Sequence, residues 1–155
     1  MVKRDGTVLI EDARLIFLNF AGKETEYNRQ GDRNFGVILP EDVAQRMESD
    51  GWNIKWLKAR EEGDVDVPWV QVSVSFKNKP PKVVMVTSRN RTILDEDTIE
   101  MLDYADIAKV DLILNPYSWT VRDASGIKAY LKTMFVTIEE DELELKYAQE
   151  PNEED

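Results

Sequence analysis

The chain has 155 residues, of which 42% are hydrophobic and 33% charged, and its formal net charge is −11. This size and composition predict one compact soluble domain and exclude a membrane-spanning protein, because a helix that crosses a bilayer needs about 20 apolar residues in succession. The absence of Cys and His excludes disulfides, thiol nucleophiles, structural zinc sites and every histidine-based catalytic triad. No secretory signal is readable, so a reducing, intracellular setting is expected.

The negative charge is concentrated near the C-terminus. Residues 139–155 contain nine acids and one Lys, a net charge of −8, which leaves −3 for residues 1–138. Runs of like charge are typically extended and solvated, and they often act as interaction arms. We therefore expect a nearly balanced body over residues 1–138, with room for local basic surfaces. The DNA-binding domain is predicted over residues 1–147, followed by an acidic flexible tail over residues 148–155. A tail that serves only solubility is the alternative.

Alternation of apolar and polar residues predicts several strands in the first half of the chain. These strands cover residues 7–20, 33–39, 53–58 and 68–76. The first is long enough to contain a bulge, and the last has the clearest period-two pattern. A polar loop over residues 21–32 separates the first two strands. Pro40 and the acids after it begin a short helix over residues 41–50, and Gly51 ends it.

The second half of the chain continues the pattern of short strands. Predicted strands cover residues 82–88, 107–121 and 127–138. A second short helix is predicted over residues 95–104, and the strand that follows it is expected to break near Pro116, which lacks a backbone donor. Residues 122–126 are predicted to form a hairpin turn. Seven or so short strands with two short helices indicate a β-barrel or a β-sandwich, and not alternating βαβ units.

The last predicted strand places two cations and an aromatic ring at two-residue spacing. If Leu131 and Phe135 face the core, then Lys128, Tyr130 and Lys132 share the opposite face. A base stacks on such a ring at roughly 1–3 kcal/mol, and the ammonium groups can meet the flanking phosphates. The pattern therefore indicates a surface for single-stranded nucleic acid.

Other cations and rings are candidates for the same surface. The strand over residues 68–76 presents Trp69 opposite its apolar side and ends at Lys77. The remaining candidate DNA-binding residues are Tyr27, Arg29, Arg33, Trp56, Lys58, Lys79 and Arg89. Each of them is also an ordinary surface residue of a sheet or loop, so only their joint occurrence favours binding. Trp52, Trp56 and Trp119 are interpreted as anchors of the core, with Trp56 and Trp119 left open as surface platforms.

Motifs for catalysis are weak or absent in the sequence. The seven glycines are scattered singly, so no phosphate-binding loop is present, and no cofactor or metal is expected. The segment Glu142-Leu143-Glu144-Leu145-Lys146 resembles the acid-x-lysine pair of metal-dependent nucleases that use Mg²⁺, and a nuclease is kept as an alternative. A second alternative is an acidic interaction protein that mimics DNA and acts on a host enzyme.

Several segments resemble small proteins of tailed phages and prophages. They are Asn19–Gly22, Tyr27–Asn28, Gly31–Phe35, Asp50–Lys55 and Gly126–Leu131. Together they resemble the phage single-stranded DNA-binding proteins of the OB-fold type, over about residues 7–147. The resemblance implies an OB-fold-like Greek-key barrel with two short helices and extra strands. It also implies non-catalytic, sequence-independent binding of single-stranded DNA during phage replication or recombination, in the cytoplasm of an infected or lysogenic host cell.

The resemblance also gives the acidic tail a role. Such tails compete with DNA for the groove and recruit replication proteins, usually through a hydrophobic or aromatic last residue. This chain departs from that pattern, because it ends Asn152-Glu153-Glu154-Asp155. Electrostatic competition is still expected, whereas recruitment of phage or host replication proteins and assembly into a homodimer are left open.

Overall fold

The computed structural model describes residues 1–77, 79–141, 143 and 146. Within this part of the chain, nine strands form one mixed sheet. The strands are β1 (Val8–Ile10), β2 (Arg14–Asn19), β3 (Arg33–Ile38), β4 (Ile54–Leu57), β5 (Val67–Val74), β6 (Lys82–Val86), β7 (Arg91–Leu94), β8 (Ile107–Val121) and β9 (Ala124–Ile138). One α-helix, α1 (Glu41–Asp50), and one 3₁₀ helix (Ile99–Asp103) accompany them. Neither helix is long and apolar enough to span a bilayer.

The strands follow the order β1-β8-β9-β5-β3-β2, with β4 added to β5 and the β6–β7 hairpin added to β9. Strand β9 runs parallel to β5 and β6, and the other pairs are antiparallel. The sheet curls until the Ala13 N–H donates to the Val110 carbonyl at 2.7 Å. Strand β1 pairs with the same edge of β8 at Leu112–Leu114, so β2 cannot form a continuous ladder with β8. The mainly-β prediction is therefore confirmed, but the sheet stays open and is not a closed barrel.

The core lies on one side of the curled sheet and is filled by alternate residues of the strands. Phe20 and Phe35 stack with ring centroids 5.0 Å apart, and both are fully buried. Trp52 is also buried, as expected for a core anchor. Helix α1 packs its buried side chains against this core and ends at Gly51 with φ +106°, a conformation that favours glycine. The helix and its stop are where the sequence predicts them.

A bulge at Lys132 changes the alternation of β9. Ile113 of β8 pairs with Thr133, whereas the next residue, Leu114, pairs with Leu131, so Lys132 has no partner opposite it. One extra residue reverses the faces of everything that follows. Met134 is therefore buried in the core, and Phe135 lies on the other face under the Lys82 ammonium. The expectation that Phe135 faces the core is wrong for this reason.

A second bulge lies in β2, where two residues stand opposite Phe35. Pairing jumps from Ile16–Gly36 to Asn19–Asn34, and Phe17 adopts φ +52°. A non-glycine residue in this left-handed region costs about 1–3 kcal/mol. Strand β2 is separate from β1, because Asp12 also has a positive φ and forms the turn between them. The single long strand predicted over residues 7–20 is thus two strands.

Three further differences from the prediction have simple causes. Strand β8 runs through Pro116 without a break, because β1 pairs with β8 only as far as Leu114 and leaves that edge free. The second helix is a 3₁₀ helix of five residues, preceded by a turn in which the Asp95 carboxylate accepts the Asp97 and Thr98 N–H groups. Strand β7 is absent from the prediction, since its first three residues are exposed and show no alternation.

One carboxylate joins the 3₁₀ helix to the end of β2. Asp103 accepts the N–H groups of Phe20 at 2.7 Å and of Ala21 at 2.9 Å through its two oxygens. No ladder partner is available to these donors at the end of the strand, and Phe20 is buried. Asp103 therefore fixes the start of the loop that follows β2.

We expect Asp103→Ala to lower the free energy of unfolding by about 1–3 kcal/mol, because two backbone donors lose their acceptor. Urea denaturation followed by tryptophan fluorescence measures this loss. Asp103→Asn is the matched control, since it keeps one accepting oxygen and should lose less. Equal stability of wild type and Asp103→Ala would contradict this role for the carboxylate.

Candidate functional site

A groove of about 1090 Å³ crosses the outer face of the sheet, on the side opposite the core. Strands β3, β5 and β9 form its floor. The loop that precedes β3 forms one wall, and the end of the β8–β9 hairpin forms the other. In the groove, β5 is flanked by the antiparallel strand β3 on one edge and by the parallel strand β9 on the other.

The register of β5 decides which side chains form the floor. Val70, Val72 and Val74 are buried in the core, so Gln71 and Ser73 point outward. Ser73 pairs with Tyr130 of β9, which brings the polar face of β5 against the Tyr130 and Lys128 face of β9. The floor therefore consists of short polar side chains beside an aromatic ring.

Aromatic rings and a cation are stacked along the β8–β9 hairpin. The Lys128 ammonium lies 5.1 Å from the centroid of the Tyr130 ring, and Tyr117 contacts the same ring edge-on at 5.7 Å between centroids. Trp119 lies across Gly126, where an added Cβ would come within 2.9 Å of the indole. The hairpin thus presents a row of rings, of which Trp119 and Tyr130 line the groove.

The loop before β3 is held by the Asn28 amide. Its nitrogen donates to the carbonyls of Lys23, Arg29 and Asp32 at 2.9–3.1 Å, and its oxygen accepts from the Asn34 amide at 2.8 Å. This network fixes the loop without involving the ring of Tyr27, which is 91% exposed at the rim of the groove. The loop is therefore a preorganised wall with a free aromatic ring.

Arg33 is the most buried cation of the groove, with its side chain 22% exposed. It donates to the Glu96 carbonyl at 3.2 Å, lies 3.7 Å from the Glu96 carboxylate and packs against the Phe76 ring. Its Nε is buried and has no hydrogen-bond partner, and no other buried side-chain nitrogen or oxygen in the described part of the chain shares this property. The partly exposed guanidinium lines the groove and suits an anionic ligand there.

The lining of the groove is basic on a chain that is strongly acidic. Four cationic side chains line it, against two anionic ones. The cations are Arg29, Arg33, Lys77 and Lys128, and the acids are Asp32 and Glu96. Such a lining favours a polyanion, and the rings beside it favour planar groups.

The structure brings together half of the residues that the sequence singles out. Six of the twelve candidates line the groove, namely Tyr27, Arg29, Arg33, Lys77, Lys128 and Tyr130. The other six lie outside its lining, namely Trp56, Lys58, Trp69, Lys79, Arg89 and Lys132. Trp56 donates its indole N–H to Glu48 of α1 at 3.1 Å, and Lys58 pairs with Asp66 at 3.5 Å. Both contacts hold the region around β4.

Two of the cations outside the groove, Lys132 and Arg89, lower the pKa of a nearby carboxyl group. The Thr7 hydroxyl and N–H lower the pKa of Asp5, and the charge of Lys132 adds a smaller contribution. The Ser88 N–H and hydroxyl lower the pKa of Glu140, with a contribution from Arg89 in the β6–β7 turn. Lys79 is exposed in the connection between β5 and β6.

Several groove residues are missing from the sequence prediction. They are Gln71, Ser73, Phe76, Glu96 and, with its role left open, Trp119. The period-two pattern of β5 could have identified Gln71 and Ser73, which are outward-facing neighbours of Trp69. No local signal indicates Glu96, because its position depends on Arg33, 63 residues away.

The segment kept as an alternative nuclease site, residues 142–146, lies mostly outside the described part of the chain. Residues 142 and 144 lie outside the described part of the chain, as do residues 147–155 with the predicted tail. Among the residues that the structure describes, no group of three or more Asp or Glu side chains is arranged to hold a metal ion.

An open, mainly-β domain with a basic, ring-lined groove across its sheet has the features typical of nucleic-acid-binding modules. The family described as "Putative phage ssDNA-binding domain" has a model that matches residues 1–155. The chain belongs to this family, and the resemblance noted in the sequence is confirmed. A comparison with curated proteins finds no significant match.

Solved structures of similar fold come from bacteriophage Enc34. Its single-stranded DNA-binding protein in complex with ssDNA has a TM-score of 0.58 at 11% identity, covering 90% of each chain. A C-terminal truncation of that protein has a TM-score of 0.54 at 13% identity, again covering 90% of each chain. A further structure of it has a TM-score of 0.54 at 14% identity, covering 90% of this chain and 85% of that one. The likeness confirms the OB-like fold.

We expect Gly126→Ala to displace the Trp119 indole, because the added methyl group would lie 2.9 Å from its ring. The tryptophan emission should shift, while the urea midpoint changes little, since the hairpin end is exposed and no positive φ is required at Gly126. The same substitution in a Trp119→Phe background is the control and should leave the emission unchanged. An identical spectrum for Gly126→Ala and wild type would contradict the contact.

Proposed function

We propose that this chain is a non-catalytic protein that binds single-stranded DNA, without sequence preference, in the groove between the loop before β3 and the β8–β9 hairpin. The observation that carries this proposal is the groove lining, which is basic and aromatic on a chain with a net charge of −11. Family membership supports it, and so does the Enc34 protein of similar fold, which was solved with ssDNA. We further propose a role in phage replication or recombination, in the cytoplasm of an infected or lysogenic cell, and membership of a phage family supports it.

The chemistry of the groove accounts for binding without sequence preference. Tyr130, Trp119 and Tyr27 offer π-faces on which any base can stack. The cations of the groove meet phosphates, which are the same for every sequence. Short side chains such as Ser73 on the floor leave room for purines and pyrimidines alike.

Arg33 is the central phosphate contact in this proposal. Its guanidinium is held in the groove by the Glu96 carbonyl and the Phe76 ring, with Nε unpaired. The Glu96 carboxylate lies 3.7 Å from the same guanidinium that a phosphate would contact. Glu96 therefore competes with DNA for this cation and weakens binding in the groove.

Titration of the protein with oligo-dT at several salt concentrations tests the function. If each of the four groove cations meets one phosphate, a plot of log K against log [salt] should have a slope of about −3. Tyr130→Ala should weaken binding by roughly 1–3 kcal/mol without changing this slope, because it removes stacking and no charge. Tyr130→Phe is the control that keeps the ring. Absence of binding at low salt, or cleavage of the oligonucleotide in Mg²⁺, would contradict the proposal.

We expect Glu96→Gln to tighten binding by up to about fivefold, the value of a surface ion pair, because the competing carboxylate is removed from Arg33. Fluorescence anisotropy of a labelled oligonucleotide measures the change. Glu100→Gln changes the net charge equally, lies outside the groove lining and should have a smaller effect. Equal gains for the two variants would show that only net charge matters, and not the contact with Arg33.

A further inference from the structure

The outer face of the sheet carries a second group of rings beside the groove. Phe17 is 60% exposed and contacts Trp69 edge-on, with 5.1 Å between ring centroids. The Lys55 ammonium lies 5.2 Å from the centroid of the Trp69 ring. Phe17, Trp69 and Lys55 are called the Phe17 platform below. None of the three lines the groove.

A glycine between the two rings allows them to meet. Gly36 of β3 pairs with Ile16 and Gln71, so β3 separates β2 from β5. A Cβ at Gly36 would lie 2.8 Å from Trp69 Cε3 and 2.8 Å from Ile16 Cγ1. The missing side chain lets the indole lie across the β3 backbone and reach Phe17. The two rings, set edge to face across Gly36, therefore form a continuous surface over three strands.

Packing of the core does not account for Phe17. Its backbone has φ +52° at the β2 bulge, where Gly or Asn would fit without the steric cost. More than half of the ring stays in solvent, so little apolar surface is buried in return. Strained residues of this kind cluster at ligand-binding sites. The exposed ring therefore points to a contact outside the domain.

The Phe17 platform is continuous with the groove. Lys55 Nζ lies 3.4 Å from the Gln71 amide oxygen, and Gln71 lines the groove. Ser73 pairs with Tyr130, and Trp69 lies four residues before Ser73 on the same face of β5. Strand geometry then places Trp69 roughly 14 Å from Tyr130 along the sheet. One flexible polyanion can follow this path from the groove to the platform.

We propose that the Phe17 platform is a second contact site for the DNA strand that occupies the groove. Bases stack on Phe17 and Trp69, and the Lys55 ammonium meets a phosphate. This inference rests on the proposed function and extends it by a defined path. A short oligonucleotide fills the groove alone, whereas a longer one spans the groove and the platform.

Binding of two oligonucleotides by matched variants tests the platform. We suggest oligo-dT of about 4 and about 15 nucleotides, near the limits of known site sizes for this type of fold. Phe17→Asn should bind the longer one about fivefold or more weakly and the shorter one as wild type does, with an unchanged or raised urea midpoint. Phe17→Tyr should bind like wild type. Ile93→Asn changes another exposed apolar residue, on β7, and should have no effect.

Two further measurements do not depend on how Phe17 variants fold. Lys55→Gln should reduce the salt slope by about 0.7 for the longer oligonucleotide only. Photo-cross-linking of the wild type to a 15-nucleotide strand with 5-iodouracil along its length should label Phe17 or Trp69 as well as groove residues. Labelling confined to the groove would overturn the proposal.

The remaining outcomes separate this proposal from the function on which it rests. One such outcome is that Phe17→Asn binds the longer oligonucleotide as tightly as wild type does, while Tyr130→Ala weakens the binding of both oligonucleotides. This result would overturn the platform proposal and leave the groove proposal intact. If Phe17→Asn weakens the binding of both oligonucleotides equally, the platform proposal is also overturned, since the substitution would then act through the groove. A change of oligomeric state with unchanged DNA affinity would assign the platform to a contact between copies. Failure of wild type to bind either strand would overturn both proposals.

Discussion

The parallel pairing of β5 with β9 is the constraint on which the groove depends. Two residue pairs, Val72–Ala129 and Ser73–Tyr130, set the polar face of one strand beside the aromatic face of the other. The bulge at Lys132 lies directly after this contact and lets β6 continue along the same edge of β9. A slip of one residue in β9 would turn Tyr130 toward the core, and a slip of one residue in β5 would turn a valine toward the groove.

Local charge, and not net charge, decides what the sheet can bind. Of the formal charge of −11, −8 belongs to residues 139–155 and only −3 to the rest of the chain. Interactions between exposed charges are largely screened beyond about 8–10 Å at physiological salt. Four cations gathered on one groove therefore act on a ligand there with little opposition from acids elsewhere on the domain. A phosphate at Arg33 would interact mainly with the charges near it, and the net charge of the chain would have little effect.

The sequence allowed most elements to be predicted, because alternation and turn residues are local signals. Helix α1 with Gly51, the strand around Val72 and the last strand with Lys128 and Tyr130 are where the pattern indicates. The sequence allowed a bulge in the first strand, but neither its position at Phe17 nor the bulge at Lys132 could be predicted, since an extra residue is visible only against a paired strand. The same holds for the site. Periodicity tells which side chains share a face, but not that Arg33 meets Glu96 or that Trp119 rests on Gly126.

The position of β9 at the end of the fold has a consequence for how the protein is made. Strand β9 supplies Lys128 and Tyr130, and its partner β5 lies more than 50 residues earlier. Contacts so distant along the chain form slowly, because a long loop must close before they contribute. A polypeptide released after β8 lacks one side of the groove altogether. The complete groove therefore forms only after β9 has paired with β5.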